Sequence, residues 1–233
     1  MKGRVSDIAE DGSLLLSGGG RVGLDGILPD NIEIRADVTL RQVLAGLAKG
    51  NDVELRFFTK KPPRPDRHGR LPAQVVVEGA SGPVWLQGQL VLQGLARVHA
   101  LKDNRTCSVG LLALEKQARA KRRGYWRSGD FAVHDAQDVA VLQKLFDTFQ
   151  IVEGRVLSVG RRRRETFLNF GPVWKKDFTV IIPAAIAARL IENGVALDHL
   201  ERQRIRVRGY LVRRGGPALL LDVAEHLEVL EQG

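Results

Sequence analysis

The chain has 233 residues, of which 44% are hydrophobic, and 36 Lys and Arg stand against 27 Asp and Glu for a formal net charge of +9. That apolar content is enough to build cores and excludes global disorder, and the length suits two small domains or one large one. The positive excess favours polyanions such as nucleic acid or an anionic membrane. The single cysteine, Cys107, excludes an internal disulfide, and the scattered histidines form no zinc pattern.

The first residues, Met1-Lys2-Gly3-Arg4-Val5, lack the apolar centre of a signal peptide. A cytoplasmic location is therefore expected if Met1 is the native start, and an exported or periplasmic one if a leader was removed. Residues 3 to 35 alternate short apolar runs with turns at Asp11-Gly12 and Gly18-Gly19-Gly20, a pattern of hairpins. Thr39 is placed to cap a helix over 40–49 that stops at Gly50. Val53 to Phe58 alternates like a strand with one wet face, and Leu71 to Val77 reads as another. Between them lies a stiff basic loop, Lys60 to Pro65. Helical spacing follows over 85–96, and Ser108 is expected to cap a helix over 109–123 with Gly124 at its exit. No apolar run approaches the roughly 20 residues that a bilayer-spanning helix needs.

Residues 127–149 read as a connector, with a short helix expected over 138–149. A second strand-rich pattern begins at Ile151: strands at 151–159, 165–170 and 177–182, a helix over 183–193, then strands at 204–212 and 218–223. Three strands, a helix and two strands is the order of an OB-type barrel. The expected fold class is therefore mainly β with α, an α+β protein of two tandem OB-type five-stranded barrels. The expected boundaries are 1–128, a connector at 129–149, and 150–233.

Two motifs in the first half belong together. Asp66-Arg67-His68-Gly69-Arg70 is a D-x-x-G-R turn, and Leu112 to Trp126 is a basic amphipathic helix ending in Gly124-Tyr125-Trp126. With Val91 to Val98 as a helix-to-strand segment, residues 3 to 128 resemble the staphylococcal nuclease (thermonuclease) family. The resemblance implies a barrel with packed helices that cleaves phosphodiesters with two arginines, a glutamate and a calcium held by aspartates. Arg70 matches one of those arginines. The stretch that commonly resembles V-R-L-x-G-I-D-x-P-E in the family reads Val22-Gly23-Leu24-Asp25-Gly26-Ile27-Leu28-Pro29-Asp30-Asn31 here. Gly23 thus stands for the second arginine, Leu28 for a calcium aspartate, and Asp30 or Asn31 for the glutamate. The family's D-G-D-T turn is reduced to Asp11-Gly12-Ser13. Arg21 shares a strand face with position 23, and Asp25, Asp30 and Glu33 are the acids nearest the vacated positions. Asp11 and Asp25 are the candidate calcium ligands. Each lost transition-state donor typically lowers the rate about 10²–10³-fold, so the site is expected to be degenerate. The plain alternative for Arg70 is a surface arginine paired with Asp66.

In the second half, Arg161, Arg162, Arg163 and Arg164 fall between the first two strands, and Arg213 and Arg214 between the last two. OB barrels bind oligonucleotides with those two loops and the face of strands two and three. Phe167 and Phe178 are expected to alternate into the core, which leaves Trp174, beside Lys175, as the exposed stacking aromatic. Arg204, Arg206 and Arg208 form a row on one strand face, and Lys121 and Arg122 a basic helix end. The expected function is nucleic-acid binding, single-stranded and without sequence specificity, with no cofactor. Two alternatives stand beside it: a calcium-dependent nuclease with an atypical site, and a protein–protein scaffold.

Overall fold

Short alternating strands punctuated by glycine turns do build a curled sheet at the start of the chain. In the computed structural model, which describes residues 1–28, 39–58, 64–79, 82–100, 105–173 and 175–230, contacts divide the chain into two units, Met1–Phe131 and Ala132–Gly233. The first unit runs β1 (Lys2–Ile8), β2 (Leu14–Leu16), β3 (Arg21–Leu24), β4 (Ile27–Leu28), α1 (Leu40–Ala48), β5 (Asp52–Arg56), β6 (Arg70–Gly79), β7 (Gly82–Trp85), α2 (Leu86–Leu92), β8 (Arg97–Val98), α3 (Arg105–Ala120) and α4 (Tyr125–Ser128). The strand order β3-β2-β1-β5-β6 closes on itself because β3 also pairs, in parallel, with β6. The result is a closed five-stranded, OB-like barrel. Its inward positions, among them Val5, Leu14, Val22, Leu55 and Val75, are fully buried, and each such side chain contributes about 1.5–3 kcal/mol relative to exposure.

Helix α1 begins where its cap directs. The Thr39 side chain accepts from the Gln42 N–H, and the Gln42 side chain accepts from the Thr39 N–H, a reciprocal capping box. Helix α2 stops at Leu92, earlier than its apolar spacing suggests, because Gly94 (φ 73°) turns the chain. Helix α3 starts at Arg105, ahead of Ser108, which is buried inside it and does not act as its N-cap. After α3 the backbones of Gly94 and Gly124 meet: a Cβ on Gly124 would lie 2.5 Å from the Gln93 carbonyl oxygen, and one on Gly94 would strike Arg123. Only glycines allow this approach, which ties the exit of α3 to the α2 turn. Trp126 is buried edge-on against Phe131.

The second unit contains β9 (Val133–Asp135), α5 (Val139–Lys144), β10 (Phe149–Arg155), β11 (Ser158–Arg161), β12 (Glu165–Asn169), β13 (Thr179–Pro183), α6 (Ala184–Glu192), β14 (Arg204–Arg214), β15 (Gly216–Leu220) and β16 (Leu227–Val229), with 3-10 turns at Leu197–Leu200 and Ala224–His226. The stretch read as a connector is structured from Val133 on: β9 pairs in parallel with β10, and Leu142 of α5 is fully buried. The sheet order is β11-β12-β13-β15-β14-β10-β9, with β16 on β14. Its core gathers Val152, Leu168, Phe170, Phe178, Val180, Ile182, Val207 and Leu219. No described helix is long and apolar enough to cross a membrane.

Candidate functional sites in the two units

The parallel pairing of β3 with β6 sets Arg21 opposite Arg70. Arg21, the candidate for the vacated arginine position, thus lies beside Arg70 although 49 positions separate them, and the two guanidinium groups meet at one carboxylate. Asp11 Oδ1 lies 2.7 Å from Arg21 Nη2, and Asp11 Oδ2 lies 3.3 Å from Arg70 Nη1. Ser13 completes the turn. Its hydroxyl donates to Asp11 Oδ1 at 2.5 Å and accepts from Arg21 Nε at 2.6 Å. Arg70 is held a second time by Asp66, through Nη2 at 2.7 Å and Nε at 2.8 Å. Asp66 Oδ1 also accepts the backbone N–H groups of His68 and Arg70, the Asx-type closure of the D-x-x-G-R turn.

These bonds shift the acids in one direction. Partial burial pushes the Asp11 carboxyl up, but the Ser13 hydroxyl and Arg21 outweigh it and hold the group well below the usual carboxylate range. The side-chain and backbone bonds from Arg70 lower Asp66 to about 2. Hydrogen bonding to Asp66 in turn raises Arg70. Both acids are therefore ionised at neutral pH and balance the two guanidinium charges.

The cluster borders a cleft of about 190 Å³, lined also by Gly23, Asp25, Leu28 and His99. Gly23 presents no side chain; a Cβ there would rest 3.5 Å from Arg70 Cβ. Asp25 lines the cleft, and its carbonyl accepts from Gln74 Nε2 at 2.6 Å. Asp30 and Glu33 lie outside the described residues. Calcium wants six to eight oxygen ligands rich in carboxylate. Among the described residues no three His, Cys, Asp or Glu side chains converge. Asp11 already faces two cations, and Leu28 offers no oxygen. The described donors do not fit calcium.

The second unit carries a different surface. Thr166, Leu168 and Phe170 point into the core, so Glu165, Phe167 and Asn169 stand in a row on the outer face of β12. The expectation that Phe167 is a core residue is therefore wrong. Residues 166–170 read Thr-Phe-Leu-Asn-Phe, and with apolar side chains on both faces the pattern does not say which faces inward. Phe178, by contrast, is fully buried, 5.1 Å from Phe170. Phe167 and Ile181 are register partners, as are Asn169 and Thr179. Together with Gly160, Arg161, Arg162, Glu165 and Arg214 they line a groove of about 290 Å³.

Of the predicted basic groups, Arg161 to Arg164 are all exposed around the β11–β12 turn. Arg161 pairs with Asp198 at 2.6 Å, and the Arg162 guanidinium lies over the Phe167 ring at 5.5 Å. Arg214, at the end of β14, reaches Glu165 at 3.1 Å, and Arg213 covers Phe146. Lys175 is exposed, while Trp174 lies outside the described residues. In the first unit Lys121 and Arg122 are exposed just beyond α3, but Arg119 turns inward over Trp126. The arginine row of β14 is not an open face. Arg204 and Arg206 pair with Glu153, and Arg206 and Arg208 with Glu228; Arg208 is 1% exposed. The i, i+2 row Glu165-Phe167-Asn169 was the signal available for the groove.

A closed five-stranded barrel flanked by helices, with an arginine in a D-x-x-G-R turn at the mouth of a cleft, defines the class of the first unit. Residues 39–128 match the family model described as "Staphylococcal nuclease homologue". The match takes in Arg70 and the Gly94–Gly124 junction. It begins after the turn that carries Asp11 and the strand that carries Arg21 and Gly23. No curated protein matches the chain.

Proposed function

We propose that the protein binds single-stranded nucleic acid without cleaving it. The observation that carries this reading is the groove of the second unit, where Phe167 and Ile181 floor a channel rimmed by Arg161, Arg162 and Arg214. A basic rim beside an aromatic platform is how single strands are held, phosphates by guanidinium and bases by stacking. The reading takes the second unit as an OB-type barrel. In support, β10 and β11 are two halves of one bent strand, separated only by Val156 and Leu157, so that the order from β11 through β12, β13, β15 and β14 returns to β10. The arginine tips then occupy the two loops that flank such a barrel's binding face.

The nuclease-like unit is read as an eroded site. The position of the second family arginine is Gly23, and the remaining cations are neutralised by Asp11 and Asp66. One observation favours the enzymatic alternative, the placement of Arg21 beside Arg70. Fluorescence anisotropy with a labelled single-stranded oligonucleotide, with and without calcium, separates the two. Binding without cleavage is expected, with an affinity whose salt slope falls by about 0.7 for each phosphate contact removed in Arg162→Ala or Arg214→Ala. Calcium-dependent cleavage that disappears in Arg70→Ala would overturn the proposal. So would oligonucleotide binding indifferent to both groove variants.

A further inference from the structure

Thr179 is 8% exposed, lines the groove of the second unit, and its hydroxyl has no hydrogen-bond partner among the described residues. Buried hydroxyls without a partner are uncommon, and each calls for an explanation. The neighbour opposite it in register is Asn169, whose Nδ2 donates to Ser158 Oγ at 3.2 Å, leaving the amide Oδ1 as an acceptor. Two residue pairs further along the same two strands, and so on the same face, lie Phe167 and Ile181. The groove floor thus has an apolar half and, about two residues away along the strands, a hydrogen-bonding half. Guanidinium groups stand at the rim.

We infer that this floor is a base-reading subsite, in which one unpaired nucleobase stacks on Phe167 and presents its hydrogen-bonding edge to Thr179 and Asn169. The inference rests on the proposed nucleic-acid reading and goes beyond it, because it replaces purely electrostatic, sequence-blind binding with recognition of a base. A flat heteroaromatic ring satisfies both halves of the floor at once. An inorganic anion would leave Phe167 and Ile181 uncovered and would face the Glu165 carboxylate. An aliphatic side chain would leave the Thr179 hydroxyl as it is. The basic tips at 161–164 and 213–214 select, among flat ligands, those joined to phosphates. Arg214 is paired with Glu165 in the free protein, so a strand entering the groove must exchange that carboxylate for its own phosphate.

The test uses the full chain and the near-isosteric Thr179→Val, with Thr179→Ser, which restores the hydroxyl, as control. Anisotropy is measured with dA, dC and dT homo-oligonucleotides, and inorganic polyphosphate serves as a competitor that has charge and no bases. Thr179→Val is expected to weaken oligonucleotide binding about three- to tenfold, the effect of one hydrogen bond, and to do so unequally among the three homopolymers. Polyphosphate competition should be unchanged, and Thr179→Ser should bind like the parent. If Thr179→Val binds all three as tightly as the parent while Phe167→Ala and Arg214→Ala are weakened, the base-reading subsite is wrong and nucleic-acid binding stands. An equal loss for polyphosphate would make Thr179 part of an anion site and also overturn the inference. A parent chain that binds no oligonucleotide overturns the inference and the reading beneath it.

Discussion

Phe167 lies on β12 and Phe178 immediately before β13, and their replacement by alanine is expected to give opposite results. Phe178 is fully buried against Phe170, Val180 and the rest of the core. Its truncation removes a large buried side chain and leaves a cavity, at about 3–5 kcal/mol. Phe167 lies on the outer face under Arg162, with Gly160 opposite it, and its truncation leaves the core intact. If it supports a stacked base, about 1–3 kcal/mol of binding is lost, which is roughly 5- to 150-fold in affinity. Hydrogen exchange resolved over Ala132–Gly233 measures the stability of that unit alone, and anisotropy with a single-stranded oligonucleotide measures the affinity. Phe167→Ala should keep slow exchange in β12–β15 and lose binding. Phe178→Ala should lose protection throughout the unit. If Phe167→Ala destabilises as much as Phe178→Ala, the placement of the ring on the outer face is refuted. If it binds as the parent does, the platform is refuted.

Three further outcomes follow from the same geometry. Gly124→Ala places a methyl group 2.5 Å from the Gln93 carbonyl, so the first unit should lose about 1–3 kcal/mol by overpacking, visible as faster exchange in α2 and α3, whereas Gly129→Ala, with nothing near its Cβ, should cost less. Asp66 is lowered to about 2 and Asp11 is lowered as well; a depressed folded-state value means stabilisation that is present above the unfolded value of about 4 and lost as pH falls towards 2. Denaturation of the first unit at pH 5, 4, 3 and 2 should show that decline, and Asp66→Asn should flatten it. In a urea titration, Arg208→Ala, which removes one partner of a buried ion pair with Glu228, should destabilise the second unit by about 3–5 kcal/mol, while the double substitution Arg208→Met/Glu228→Met should cost less.

Much of this was legible in the residues, and what was not has identifiable causes. Thr39 was a local signal, readable because a cap stands immediately before the helix it starts. The succession of strands and helix over residues 151–223 was readable because its turns are marked by Arg161–Arg164, Gly171-Pro172, Gly194 and Gly215, whereas β9 and β16 are too short to show a pattern. Ser108 misled because a good cap residue also packs well when buried within a helix. The arginine row of β14 looked open because its partners, Glu153 and Glu228, come from strands 51 or more and 20 or more positions away. The meeting of Arg21 and Arg70 depends on a parallel closure that no local pattern encodes. Among the residues lining the groove, Arg161, Arg162 and Arg214 were named from the sequence as a proposed site, whereas Asn169 and Thr179, and the placement of Phe167, emerged only once the inner and outer faces of β12 and β13 were known.

The 11-residue strand β14 links two features described separately above. Its opening residues are bolted to Glu153 and Glu228, and its last residue is the guanidinium bearer at the groove rim. Arg214 is thus offered from the end of a stiff rod, not from a wandering tail. Preorganisation of this kind spares a ligand most of the entropy loss that ordering a loop would impose, so on the proposed reading a short oligonucleotide touching few phosphates would still be retained.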